Sequence, residues 1–227
     1  MQERTEPFGQ QIMTALSAVQ PAPEPVLDTA KRRQILDGAR SVFLAQGFEG
    51  ASMNDIARVA GVSKGTLYVY FENKERLFAA VVEQERAQHV EMIFDFDHGN
   101  ADVEAVLTRI GVQLTTFMAD PHIVSAMRVV MGIAERLPEL GRRFFETGPN
   151  YSRSKLAEYL VTRVEAGQLD IPDTMLAASQ FLEMAHGPIC KPMFFGVETE
   201  RPSPVRIREV VGSAVRLFMA GYAKRSA

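Results

Sequence analysis

Three scarcities bound what this 227-residue chain can be. It holds one cysteine, Cys190, which excludes an intrachain disulfide framework and suits a reducing, cytoplasmic setting. It has no run of eighteen apolar residues, so no segment is expected to span a membrane, and its N-terminus lacks the basic-then-apolar order of a secretion signal. Catalytic signatures are missing as well. There is no G-x-S-x-G elbow, no H-E-x-x-H and no dinucleotide fingerprint, and GVSKGT lacks the spacing of a phosphate loop. No enzyme and no cofactor are therefore expected. Asp95, Asp97 and His98 in FDFDHGN have no further ligands nearby and read as a polar inter-helix loop, and Cys190 reads as a small apolar filler.

A surplus of positive charge is absent too, the net charge being −3, yet its distribution is uneven. Residues 1–30 carry −3, residues 31–74 carry +3 and the remainder carries −3. The one positive segment contains SMNDIARVAGVSKGTLYVYFENK, from Ser52 to Lys74, which reads as two short helices around a glycine turn followed by a third helix. Ser52, with Asp55 three residues on, forms a capping-box pattern, and Ser63 and Asn73 stand as caps before the next two helices. Gly61 supplies the residue tolerant of positive φ, while Ile56, Ala60, Val62 and Leu67 are spaced to turn inward together.

That leaves a polar outer face suited to duplex DNA. Lys64 and Lys74 are expected as phosphate clamps, Gly65 permits close approach, and the Ser52, Ser63, Thr66, Tyr68 and Tyr70 hydroxyls can reach phosphate. Thr66 and Val69 carry methyl groups suited to thymine. One of the two tyrosines can instead close the small domain against the next helix, and Gly65 can be a packing glycine.

Over about fifty residues, and especially in GVSKGTLYVYFENKERLF, the chain resembles the DNA-binding domain of TetR/AcrR-family transcriptional regulators. In that family the residues matching Ser52, Ser63, Lys64, Thr66, Tyr68, Val69, Tyr70 and Lys74 face the operator. Val69 stands where the family often has an aromatic or polar residue, and Tyr70 where histidine is also frequent. Base preference at those two positions is thus not carried over.

The expected fold is all-α: an N-terminal three-helix helix-turn-helix domain followed by a larger helical ligand-binding and dimerisation domain. The expected divisions are an N-terminal arm at 1–30, the DNA-binding domain at 31–77 and the helical domain at 78–227. The arm is proline-rich and acidic; Lys31 to Gln46 forms the first helix, stopped by Gly47. From Asn73 a long helix should serve as the link, with Leu77, Phe78, Val81 and Val82 on the first domain and Met92, Ile93 and Phe96 on the second. Asp120-Pro121 and Ser203-Pro204 each open a helix, Asp102 to Ala119 forms another, and Pro172 opens one running to His186.

Methionine and phenylalanine are plentiful in the second domain, which suits an adaptable apolar pocket. The candidates are Met92, Phe96, Phe117, Met118, Met127, Met131, Phe181 and Met184, with Tyr151 and His186 as polar handles. The family resemblance implies a homodimer through the last two helices, which the broad apolar stripe from Val205 to Phe218 also suits. The expected partners are double-stranded operator DNA and a small apolar or amphipathic effector. A DNA-binding dimer whose second domain takes a protein partner, and a small-molecule binding protein with a vestigial DNA domain, are the alternatives.

Overall fold

The computed structural model describes residues 28–95, 99 and 101–224, apart from the side chains of 86–88. Nearly all of the expected arm, and Phe96, Asp97 and His98, lie outside the described residues. The described residues are helical with no strand: α1 (Thr29–Gly50), α2 (Met53–Val59), α3 (Lys64–Tyr70), α4 (Lys74–Phe94), α5 (Val103–Met118), α6 (Pro121–Ala134) and α7 (Pro138–Phe145) come first. A π-helical turn (Glu146–Asn150), α8 (Tyr151–Glu165), α9 (Thr174–Phe194) and α10 (Pro204–Tyr222) complete the order.

Local sequence sets most of these starts. Asp102, Asp120 and Ser203 cap α5, α6 and α10 by accepting from the backbone N–H groups of Ala105, His122 and Arg206. Gly47, at φ 70, breaks the helical path of α1 where a stop was expected, and a last turn follows it.

α9 departs from expectation at both ends. Asp173, not the residue before Pro172, is its cap, because the Asp173 carboxylate accepts from the Leu176 N–H at 2.9 Å. The helix also runs past His186 and through Pro188 and Pro192 to Phe194. Proline there removes backbone donors, which ordinarily ends a helix. Neighbouring elements hold this half of the helix at other carbonyls: the buried Thr115 hydroxyl of α5 donates to Ala185 O at 3.1 Å, and Arg128 of α6 donates through Nε to Phe194 O at 3.0 Å and through Nη2 to Met193 O.

The apolar residues gather into two clusters joined by α4. Ile35, Ala39, Ile56, Leu67, Leu77, Phe78 and Val82 lie in the first, from α1 to the N-terminal part of α4. α5, α8, α9 and α10 build the second, which also takes Val90, Ile93 and Phe94 of α4. The changeover along α4 thus falls between Val82 and Val90. The first cluster is not closed on itself, since Met127 and Val130 of α6 and Phe144 of α7 are part of it. Two ion pairs fasten the same elements at the surface, Arg76 with Glu139 at 2.8 Å and Arg143 with Glu83 at 2.9 Å. Burial pushes the Cys190 thiol up to about 12, as expected of a residue that fills space.

Candidate nucleic-acid interface and interior cavity

The turn between α2 and α3 is fixed from both sides. Val62 N donates to Ala57 O at 3.0 Å and Gly61 N to Arg58 O at 3.3 Å, the paired bonds of a Schellman ending, with Gly61 at φ 64. Gln34 of α1 donates to Ala60 O at 2.7 Å. Gly38 brings α1 against the same turn: a β-carbon added there would lie 2.6 Å from the Cα and Cβ of Ala60.

α3 buries Leu67 and turns Lys64, Gly65, Tyr68 and Val69 outward, with Ser63 exposed at its start. An added Gly65 Cβ would meet only Ser63 Oγ, at 3.8 Å, so packing does not account for this glycine. The Ser63 and Thr66 hydroxyls share one hydrogen bond of 2.8 Å, and Ser63 Oγ also accepts from Thr66 N at 3.0 Å. Of their two protons one stays free to point outward. The tyrosines part company: Tyr68 is exposed with Lys64 Nζ 6.0 Å from its ring centre, whereas Tyr70 is half-buried against the first cluster.

Two of the expected phosphate contacts have internal partners. Ser52 Oγ accepts from Asp55 N at 3.1 Å and donates its proton to Asp55 Oδ2 at 2.6 Å. That bond and the one from Arg58 hold the Asp55 carboxyl below its ordinary range, so the acceptor stays ionised. Lys74 Nζ donates to Phe48 O at 2.8 Å, Ala51 O at 3.1 Å and Glu49 O at 3.4 Å, and sits 4.5 Å from the centre of the Phe48 ring. An ammonium has three protons. Lys74 is therefore spent on closing the end of α1, a task invisible in a motif that places it beside the outer face. Arg32, which with Lys31 and Arg33 stands at the start of α1 where phosphate contact and plain solvent exposure were both open, has its guanidinium 5.4 Å from the centre of the Phe71 ring.

The second candidate site is a partly open cavity of about 290 Å3. It collects Phe117, Met118, Met127, Met131 and His186 of the expected pocket residues. The other described candidates fall elsewhere. Phe181 is fully buried core, edge-on to Phe218 at 5.7 Å, and Met184 and Tyr151 pack on the second cluster without reaching the cavity. Met92 is 60% exposed in a separate surface groove, because Val90 two residues earlier is the side of α4 that faces in.

Several lining residues went unanticipated. Gly148 and Pro149 come from the π-helical turn and Ser152 and Arg153 from the first turn of α8, while Phe145, at the end of α7, belongs to the phenylalanine-rich set expected of this domain. The Gly-Pro pair inside a helical stretch was the available signal, since π-bulges concentrate at functional sites. Most of the wall is apolar. Two buried nitrogens in it have no partner, Arg153 Nε and His186 Nδ1. Burial, against the opposing pull of the Glu183 carboxylate, pushes the His186 imidazole below its ordinary range, and Lys191 pushes the same way.

The cavity lies between the two apolar clusters. Met127 lines it and belongs to the first cluster, while Met118 and Phe194 line it and pack against both. Phe117, another wall residue, stacks on His89 of α4 with ring centres 4.7 Å apart.

Residues 35–81 match the family described as bacterial regulatory proteins, tetR family, and residues 105–224 match that described as the C-terminal domain of AefR-like transcriptional repressors. The structure is similar to a TetR-family transcriptional regulator from Mesorhizobium loti MAFF303099, with a TM-score of 0.77 and 27% identity over 86% of this chain and 98% of that one. It is also similar to the flavonoid-responsive regulator FrrA, with a TM-score of 0.68 and 29% identity over 88% of this chain and 100% of that one. Among curated proteins, the HTH-type transcriptional repressor AcnR of Corynebacterium diphtheriae is 35% identical over 63 residues, 28% of this chain and 33% of its own length. The chain thus aligns with about a third of the length of such relatives.

Proposed function

Because the chain belongs to the TetR family of bacterial transcriptional regulators, we propose that it is a repressor that holds a palindromic operator as a homodimer and releases it when a small apolar or amphipathic effector fills the cavity. The observation that carries this reading is the position of the cavity between the two clusters, with Met118, Met127 and Phe194 in its wall. An occupant that displaces Met127 of α6 and Phe145 of α7 acts on the two helices that hold α4, through Met127 itself, Phe144 and the Arg76–Glu139 and Glu83–Arg143 pairs. A coupling of ~1–3 kcal/mol lowers operator affinity about 5–150-fold. The similarity to a regulator described as flavonoid-responsive supports a small-molecule effector.

On this reading residues 31–77 are the DNA-binding domain and 78–227 the regulatory one. Ser63, Lys64, Gly65, Thr66, Tyr68 and Val69 form the contact face, with Ser52, Tyr70 and Lys74 holding it in place. A single short helix reads few bases, so two copies related by symmetry are needed to read half-sites about 34 Å apart. The dimer seam is assigned to α9 and α10, where Leu176, Val205 and Leu217 are more than half exposed in the single chain.

Gel retardation with the DNA flanking its own coding region, alongside sedimentation of the free protein, tests the reading. A retarded band that is lost to unlabelled flanking DNA and not to random DNA, together with a dimer, is expected. A monomer with equal affinity for both DNAs would overturn it.

A further inference from the structure

The cavity wall contains an arginine that apolar surroundings do not explain. Arg153 Nε is buried without a hydrogen-bond partner, and the guanidinium's only described hydrogen bond runs from Nη2 to Asn150 Oδ1 at 2.5 Å. Glu183 also lines the cavity, but its side chain is 56% exposed and its carboxylate meets Lys191 Nζ at 3.2 Å. It does not neutralise Arg153. Leaving a charged group's donor unpaired in a buried site is costly, and the fork of N–H groups on a guanidinium matches a planar oxyanion. His186 adds an unpartnered Nδ1 to the same wall, and burial keeps its ring uncharged near neutral pH. At about 290 Å3 the space is at the small end of the range for ligand pockets.

We propose that the effector is an amphipathic carboxylate, whose carboxylate pairs with the Arg153 guanidinium, the side chain shifting to bring its unpartnered Nε into the cavity, while its apolar remainder lies against Phe117, Met118, Met127 and Met131. A similar shift of His186 offers Nδ1 to a second polar atom of the ligand. This rests on the reading of the cavity as an effector site and specifies the chemistry that the site selects.

The test uses the full chain with 3-phenylpropanoate and octanoate, each beside its primary amide, measured by calorimetric titration. At least one acid is expected to bind about tenfold or more tighter than its amide, as a charge-assisted bond gives. Arg153→Gln should bring that acid to the level of its amide and leave the amide unchanged, with Arg153→Lys in between. Equal binding of acid and amide, no binding of either acid, or an unchanged ratio in Arg153→Gln would overturn the proposal. If Arg153→Gln does not fold, the wild-type acid-to-amide ratio decides alone. The regulator reading is tested separately, by retardation of flanking DNA with ligand-free protein. It can stand when the carboxylate proposal falls.

Discussion

Adding one methyl group at Gly38 tests how the recognition unit is held. The new carbon would lie 2.6 Å from Ala60 Cα and Cβ and 2.8 Å from its N, where carbon atoms settle at about 3.5–4.0 Å. Ala60 cannot retreat freely, since its N–H donates to Ile56 O at 2.8 Å and its carbonyl accepts from Gln34 at 2.7 Å, on the same helix as Gly38. Relief requires α1 and the turn to part by about 1 Å, and overpacking of this kind costs ~1–3 kcal/mol. Alanine gains back ~1 kcal/mol over glycine in a helix, so Gly38→Ala should lose ~0–2 kcal/mol net. For a chain of this size that is a fall of up to about 8 °C in melting temperature. Gly132 of α6 is the control: nothing lies within 4 Å of its added carbon, so Gly132→Ala should melt at or above the wild type. Circular-dichroism melts of the two variants make the comparison. If Gly38→Ala is as stable as Gly132→Ala, the close approach does not hold the turn.

Lys64→Ala should weaken binding to specific and random DNA alike and flatten the log–log salt dependence by about one unit, whereas Lys74→Ala should lower the melting temperature, because three carbonyls lose their donor. Anisotropy across a salt series and a melt of each variant separate the two. Phe181→Ala should cost ~3–5 kcal/mol in urea unfolding, being fully buried core, while the exposed cavity-lining Met131 tolerates alanine with a much smaller loss. The His186 imidazole lies below its ordinary 6.5 in the folded chain, so the unfolded chain binds the extra proton first. Its contribution to stability is complete above 6.5 and falls away as pH drops below it. Urea midpoints should therefore fall on acidification more in the wild type than in His186→Gln, and equal falls would refute the assignment.

What could be read from the chain and what could not divide along sequence distance. Ser52, Ser63, Asn73, Asp102, Asp120 and Ser203 cap helices with bonds to groups two or three residues away, so their roles were legible in short motifs. Gly61 likewise answers to its own turn. Lys74 closes carbonyls 23–26 residues away, and Thr115 supports a proline-containing helix 70 residues away. Neither partnership leaves a local mark. In the cavity, methionine richness pointed to the right kind of wall but not to its members, since Phe181 faces the core and Met92 faces solvent. Arg153 sits among polar neighbours in YSRSK and reads as surface, until the fold places its Nε under cover.

Met127, Val130 and Phe144 come from α6 and α7, yet they complete the apolar cluster built around the helix-turn-helix. The two halves are thus not interchangeable cassettes. A fragment cut after Val82 would leave that cluster without three of its members, and a chimera grafting this reading head onto another regulator must import all three side chains or replace their volume.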